Sequence, residues 1–521
     1  MHRQVRKRFD VYGYQFSENA PVFLSIRIEL RIAEIDFTKF ATKMLYLYNS
    51  VCILLGEGVH KMATEKEFDE KLERGLEERH IQLIALGGAI GVGLFLGSAT
   101  AIKTAGPALL LAYIIAGIFM LFIMRSLGEL AVSYPVSGSF SAYANKFLGP
   151  LAGYITGWTY WFMWVVTCMA EITAVGVYVR FWLPTVPQWI PALLALVIMM
   201  MVNVIAVSVF GEFEFWFALI KVTTIIVMIV LGAFMICFGL GNDGIPIGIS
   251  NLVDNGGFFP MGISGLIMSM VMVVTAFAGI ELIGVTAGEA KNPMKSIPAA
   301  INKVIWRIIV FYVGALTVIM CLYPWNQLGT IGSPFVLTFN KLGISAAAGI
   351  INFVVLTAAL SACNSGIFST GRILYNLSLQ GKAPAFFGKL SKNHVPLNGI
   401  LVSVCFMFIG VVLNYLVPAQ VFVYVMSVVN IGAFWVWTII VLSQLKFRES
   451  LSPEQVSKLK YPALCYPYSN WATLVFLAFV VIVMAFDPDT RIALYIGASW
   501  FALLLVCYYA FGLNKPSEKS V

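Results

Sequence analysis

The segment Leu86-Gly-Gly-Ala-Ile-Gly-Val-Gly-Leu-Phe-Leu-Gly97 sits inside an apolar run from about Ile81 to Ile102, long enough to cross a bilayer. Gly87, Gly88, Gly91, Gly93 and Gly97 crowd that run. Each glycine weakens a helix by about 1 kcal/mol relative to alanine, so the helix is expected to open there. An opened helix frees backbone N–H and C=O groups that lipid cannot satisfy. Such a break persists only where protein buries it or where it lines a wet cavity. Freed N–H groups at the start of the second half-helix make an anion site, and freed carbonyls ending the first half make a cation site. A zwitterion carries both charges, so an amino acid is a natural ligand. Without a Cβ, the glycines also let a ligand approach the backbone closely. Gly91-Val-Gly93 follows no strand and lacks the spacing of a dinucleotide-binding loop. Packing of small residues between helices is the competing explanation, and a second broken span argues against it.

Of the 521 residues 60% are hydrophobic and only 12% are charged, against about 25% charged in soluble domains. The chain is therefore an all-α polytopic membrane protein. Its net charge of +8 resides in short connections between apolar runs and does not imply nucleic acid. The eight cysteines are scattered, the four histidines form no ligand cluster, and no phosphate-binding loop is present. No metal, cofactor or ATPase engine is expected.

By length and apolarity about twelve spans follow Met62. They run near residues 82–102, 107–127, 151–181, 188–207, 214–238, 263–286, 304–323, 345–371, 398–416, 420–443, 471–486 and 491–511. Basic residues group in alternate connections: Lys66, Lys71, Arg74 and Arg79 before span one, Lys291, Lys295 and Lys303 after span six, Lys382, Lys389 and Lys392 after span eight. Lys446, Arg448, Lys458 and Lys460 follow span ten. The connection 239–262 holds Asp243 and Asp254 but no lysine or arginine. The positive-inside rule places both termini in the cytoplasm of a cell whose inner or plasma membrane holds the chain. Residues 1–61 are an N-terminal extension, expected to be disordered or to precede a true start at Met62. Residues 62–81 form a charged cytoplasmic lead-in and 82–443 a ten-helix core. A cytoplasmic loop follows at 444–470, then spans eleven and twelve within 471–513 and a tail at 514–521.

Span six is the second interrupted one. Thr275-Ala-Phe-Ala-Gly-Ile-Glu281 places Gly279 and a carboxylate in its middle. Spans one and six run in opposite directions, and paired interrupted spans of inverted topology are the best sequence pointer to a transporter's binding site. The repeat is spans one to five against six to ten.

Three ionisable residues lie within spans. Lys221 sits about two turns into span five, where a charge costs at least about 2.5–3.5 kcal/mol at the bilayer centre. It either snorkels to the cytoplasmic face, near Glu212 and Glu214, or exchanges a proton during the cycle. Glu171, in the middle of span three, either bonds a neighbouring helix while protonated or faces the pocket. Glu281 either caps freed N–H groups or titrates. Arg125 and Glu129, one turn apart, read as a helix-end pair, and Arg372 reads as an interfacial anchor. The aromatics of Gly157-Trp-Thr-Tyr-Trp161 read as an interfacial belt. Ser361 and Asn364 suit either helix contacts or site lining.

Arg79-His-Ile-Gln-Leu-Ile-Ala-Leu-Gly-Gly-Ala-Ile-Gly-Val-Gly-Leu-Phe95 resembles the opening motif of bacterial amino-acid permeases of the amino acid-polyamine-organocation superfamily. Glu214-Phe-Trp-Phe-Ala-Leu-Ile-Lys221 and the stretch Gly279 to Pro293 resemble the same group. So do Tyr323-Pro-Trp-Asn and Gly332-Ser-Pro-Phe-Val-Leu-Thr-Phe, and the match covers about residues 72–513. The resemblance implies a LeuT-type 5+5 inverted repeat with broken helices one and six, and proton-coupled amino-acid uptake. It implies that the substrate carboxylate binds the backbone at Gly91, Val92 and Gly93. The amino group would then bind carbonyls near Ala89, Ile90, Thr275 and Ala278. Relatives with a lysine at the Lys221 position use it where sodium-driven cousins hold an ion. At Val92 many relatives carry Ser or Thr, so a hydroxyl contact is missing here. The stretches 157–182 and 349–375 look most like permeases for threonine/serine, proline, or alanine/glycine, and Glu171 lines the pocket in that comparison.

The expected activity is proton-driven import of a small neutral amino acid by alternating access. Lys221, Glu171 and Glu281 are the candidate proton carriers, and amino acid, protons and lipid the partners. An exchanger, or a non-transporting sensor with the same pocket, are the alternatives.

Overall fold

The computed structural model describes residues 91–513, apart from position 96 and positions 137–138, 206, 287–292, 329–334, 336–345 and 419–420. Ala89 and Ile90, the first half of span one, the lead-in 62–81 and the stretches 1–61 and 514–521 lie outside the described residues. All described residues belong to the unit Lys61–Val521.

Every regular element among them is helical, as a hydrocarbon solvent demands of backbone that must satisfy its own hydrogen bonds. Nine helices among the described residues are long and apolar enough to cross a membrane, and Trp189–Ile205 and Gly262–Thr275 are shorter apolar ones. Gly97–Ser133 is one of the nine, but Gly106 adopts φ +61° beside Pro107. That turn separates the end of span one, Gly97–Ala105, from span two, Leu109–Ser133. Spans three, five and eight are Pro150–Val179, Val207–Phe238 and Ala347–Leu379. Spans nine to twelve are Leu397–Leu416, Val421–Glu449, Tyr468–Phe486 and Pro488–Ala510. Span six is short because Gly262–Thr275 stops at a break and resumes as Leu282–Thr286. Span seven, Pro293–Leu322, contains a π-helical stretch at Ile308–Gly314.

Span three packs along span eight, close enough at Gly157 that a Cβ there would meet Leu377 Cδ2 at 2.6 Å. This contact turns the Gly157–Trp161 aromatics inward, which corrects the interfacial-belt expectation. Trp158, Tyr160 and Trp161 are buried. Trp158 Nε1 donates to the Lys382 carbonyl (3.1 Å) and Trp161 Nε1 to Ser403 Oγ (2.8 Å). Arg372 is likewise no interfacial anchor: its side chain is buried, with the guanidinium 3.3 Å over the Phe368 ring.

The Arg125–Glu129 pair is also corrected. Glu129 is fully buried and pairs instead with Arg448 of span ten, whose Nη2 donates to Oε2 at 2.8 Å. Gln444 Nε2 (3.0 Å) and the Ala463 N–H also donate to the carboxylate. Arg125 stacks 3.8 Å over Tyr461 and donates to the Pro462 carbonyl at 2.7 Å. The one-turn spacing was outcompeted by partners from span ten and the connection 450–467. Removing one member of a buried charge pair costs about 3–5 kcal/mol. Glu129→Ala is therefore expected to lower the melting temperature of the detergent-solubilised protein, and an unchanged melt would show this connection to be unimportant for stability.

Candidate functional site

The described chain enters the site at Gly91, which is not helical, and a helix begins at Val92. The Leu94 N–H donates to the Gly91 carbonyl at 3.2 Å. Opposite lies the break in span six. There the backbone runs through consecutive turns from Ala276 to Glu281, with Gly279 at φ +95°. Such a φ is strained for any residue with a Cβ. The break is held by side chains from three directions. Glu281 Oε2 accepts the Gly279 N–H and the Trp437 Nε1–H, each at 3.2 Å. Tyr312, from the π-helical stretch of span seven, donates its hydroxyl to the Ala276 carbonyl at 3.0 Å. The Thr275 hydroxyl lies between the Val271 carbonyl (2.7 Å) and Asn430 Oδ1.

The two broken spans meet where glycine leaves room. A Cβ on Gly93 would stand 3.4 Å from Ala276 Cα, so the start of the second half-helix packs directly on the span-six break. A Cβ on Gly91 would stand 2.8 Å from Glu171 Oε1 and 3.5 Å from Ala362 Cβ. Gly91, Gly93, Glu171 of span three, Ala276 of span six and Ala362 of span eight thus form one wall. Glu171 is buried, so its carboxylate sits in low-dielectric surroundings beside the non-helical backbone of Gly91. Thr275 and Ala278 flank Ala276, and the Thr275 carbonyl accepts the Ala278 N–H at 3.0 Å.

Lys221 and Glu281 bond to groups next to that wall rather than to the wall itself. Glu281 accepts one freed N–H of the break, that of Gly279. Lys221 does not snorkel: it is fully buried and donates to Ser361 Oγ at 2.8 Å. Ser361 in turn donates to Glu214 Oε1 at 2.6 Å. Glu214 was missed as a site residue, although its position seven residues before Lys221 places both on one helix face. Asn364 serves as helix contact, with its Oδ1 accepting from Asn203 Nδ2 of span four at 2.8 Å. No group of three or more His, Cys, Asp or Glu among the described residues is arranged to hold a metal ion.

Known proteins resemble this chain in sequence. The profile of the amino acid permease family matches residues 80–521. The "Uncharacterized amino acid permease YtnA" of Bacillus subtilis is 60% identical over 86% of this chain and 97% of its own length. The "Probable threonine/serine transporter YbxG" of the same organism is 50% identical over 87% of the chain and 98% of its own. The "Aromatic amino acid transport protein AroP" of Escherichia coli is 46% identical over 85% of the chain and 96% of its own.

Proposed function

Because the chain belongs to the amino acid permease family, and is thus a multi-pass membrane protein that transports amino acids, we propose proton-coupled import of a small neutral amino acid. Threonine, serine, proline and alanine are the candidates. The observation that carries the reading is the meeting of both broken spans at Gly91, Gly93 and Ala276, with Glu171 against Gly91. Backbone at Gly91, Val92 and Gly93 takes the substrate carboxylate. Backbone on the Ala89–Ile90 side and at Thr275 and Ala278 takes the ammonium, with Glu171 within reach of it. A buried carboxylate beside this backbone favours a ligand that brings its own positive charge, as every free amino acid does.

Support for a small neutral substrate comes from the motif resemblance and from a relative named as a threonine/serine transporter. Lys221, bonded to Ser361 beside the wall residue Ala362, supplies a titratable group, and the proton gradient is the driving force. The distribution of lysine and arginine favours insertion in the cell membrane with both termini cytoplasmic.

Glu171→Gln keeps the shape of the wall and removes its charge. Hydrogen bonds to charged groups contribute about 1.5–3 kcal/mol, so amino-acid affinity is expected to fall by at least about tenfold. Ligand-induced thermal stabilisation in detergent measures it, and native affinity in this variant would remove Glu171 from the binding site.

A further inference from the structure

The geometry of spans five and eight points to more than a lone lysine. Glu214, Ser361 and Lys221 are all fully buried and joined in one chain of hydrogen bonds, Nζ to Oγ at 2.8 Å and Oγ to Oε1 at 2.6 Å. We propose that Glu214, acting through the Ser361 hydroxyl, is the proton-exchange partner of Lys221, so that the coupling unit of this transporter is a three-residue relay between spans five and eight. This rests on the proton-coupled reading above.

The serine has a defined direction. Its oxygen accepts from the lysine nitrogen, and its own hydrogen points to the carboxylate. A proton therefore moves without any heavy atom travelling. Lys221 gives one N–H proton to Ser361 Oγ and the original Ser361 hydroxyl proton passes to Glu214 Oε1. The serine stays a neutral hydroxyl, now with its hydrogen toward the Lys221 amine, and must rotate before that amine takes another proton. The ammonium becomes an amine and the carboxylate a carboxylic acid, so the pair is net neutral on both sides of the step. That matters in a low-dielectric interior, where an uncompensated charge is far more expensive than a balanced pair. A further proton from outside then binds the Lys221 amine while Glu214 keeps the first. The loaded relay carries one more proton, and one more positive charge, than the resting one. Net neutrality holds for the internal transfer, and the added charge is the coupling charge itself.

The relay also adjoins the substrate wall. Ala362, the residue after Ser361, is the one whose Cβ lies 3.5 Å from where a Gly91 Cβ would sit. A shift of span eight on substrate binding therefore acts on the hydroxyl that joins the two ionisable groups. Asn364 and Ser365, one turn further along the same span, face the Glu214 carboxylate. Lys221 and Glu214 are the charged groups that face each other here.

The test uses the full chain in proteoliposomes with a labelled mixture of the common amino acids. Two quantities are compared: counterflow at equal pH, and accumulation under an inward proton gradient as external pH is varied. In Glu214→Gln and Ser361→Ala the ratio of gradient-driven accumulation to counterflow is expected to fall by at least about tenfold, the scale of ordinary coupling energies. The pH profile of uptake should flatten, and Ser361→Thr, which keeps the hydroxyl, should recover most of the ratio. A native ratio and native pH profile in both variants would overturn the relay. Should Glu214→Gln fail to reach the membrane, Ser361→Ala against Ser361→Thr decides alone. If the unaltered chain accumulates amino acid indifferently to the gradient, the proton-coupled reading itself fails. If Lys221→Ala abolishes gradient drive while both relay variants behave as native, that reading stands and only the relay falls.

Discussion

Gly91→Val is expected to abolish amino-acid uptake with the protein still folded in the membrane. The glycine's Cα already lies so close to span three that even a Cβ would stand 2.8 Å from Glu171 Oε1. Valine adds two further methyl groups and a rigid χ1. Either Glu171 is pushed away from the wall or the start of the second half-helix moves off Ala276. Each displaces polar groups by about an ångström, and a misplacement of that size costs roughly 100-fold. Uptake rate and ligand-induced thermal stabilisation together measure it. Gly91→Ala should show a smaller loss, because among the described residues only Glu171 stands closer to it than van der Waals contact. Native affinity in Gly91→Val would move the substrate site elsewhere.

Lys221→Ala is expected to remove accumulation driven by the pH gradient, the second large effect. It also leaves Glu214 and Ser361 buried without the cation they are bonded toward. Removing one partner of a buried charged pair destabilises by about 3–5 kcal/mol, because the other is left uncompensated. The double variant Lys221→Ala with Glu214→Gln should therefore melt higher than Lys221→Ala alone, while accumulation stays lost in both. Coupling of this kind between residues in one hydrogen-bonded network typically amounts to about 0.5–3 kcal/mol in a double-mutant cycle. Unchanged gradient-driven uptake in Lys221→Ala would remove the lysine from the mechanism.

Much of this organisation can be read from the residues because the bilayer imposes length. Apolar runs of about twenty residues have one solution in lipid. Glycine and a carboxylate at Gly279 and Glu281 have few reasons to share a span. Partner choice across the fold is another matter. Glu214 and Lys221 lie on one helix face, but the serine that joins them is 140 residues away in sequence. No local pattern announces it. Arg125 and Glu129 have the spacing of a helix pair, yet Arg448 and the backbone of Ala463 outbid Arg125 for the carboxylate. The aromatics at 158–161 look interfacial by residue type alone. A span surrounded by other helices is apolar on every side, so its periodicity does not reveal which tryptophans face inward. The lead into the first break, including Ala89 and Ile90, rests on the sequence together with the geometry of Gly91 and Gly93.

The most direct measurement is uptake of labelled threonine into proteoliposomes under an imposed inward proton gradient, challenged by each common amino acid in excess. The predicted result is gradient-dependent accumulation that serine, proline or alanine suppresses and that collapses in Gly91→Val. Accumulation that ignores the gradient, or that only phenylalanine, tyrosine or tryptophan suppresses, would contradict proton-coupled import of a small neutral amino acid.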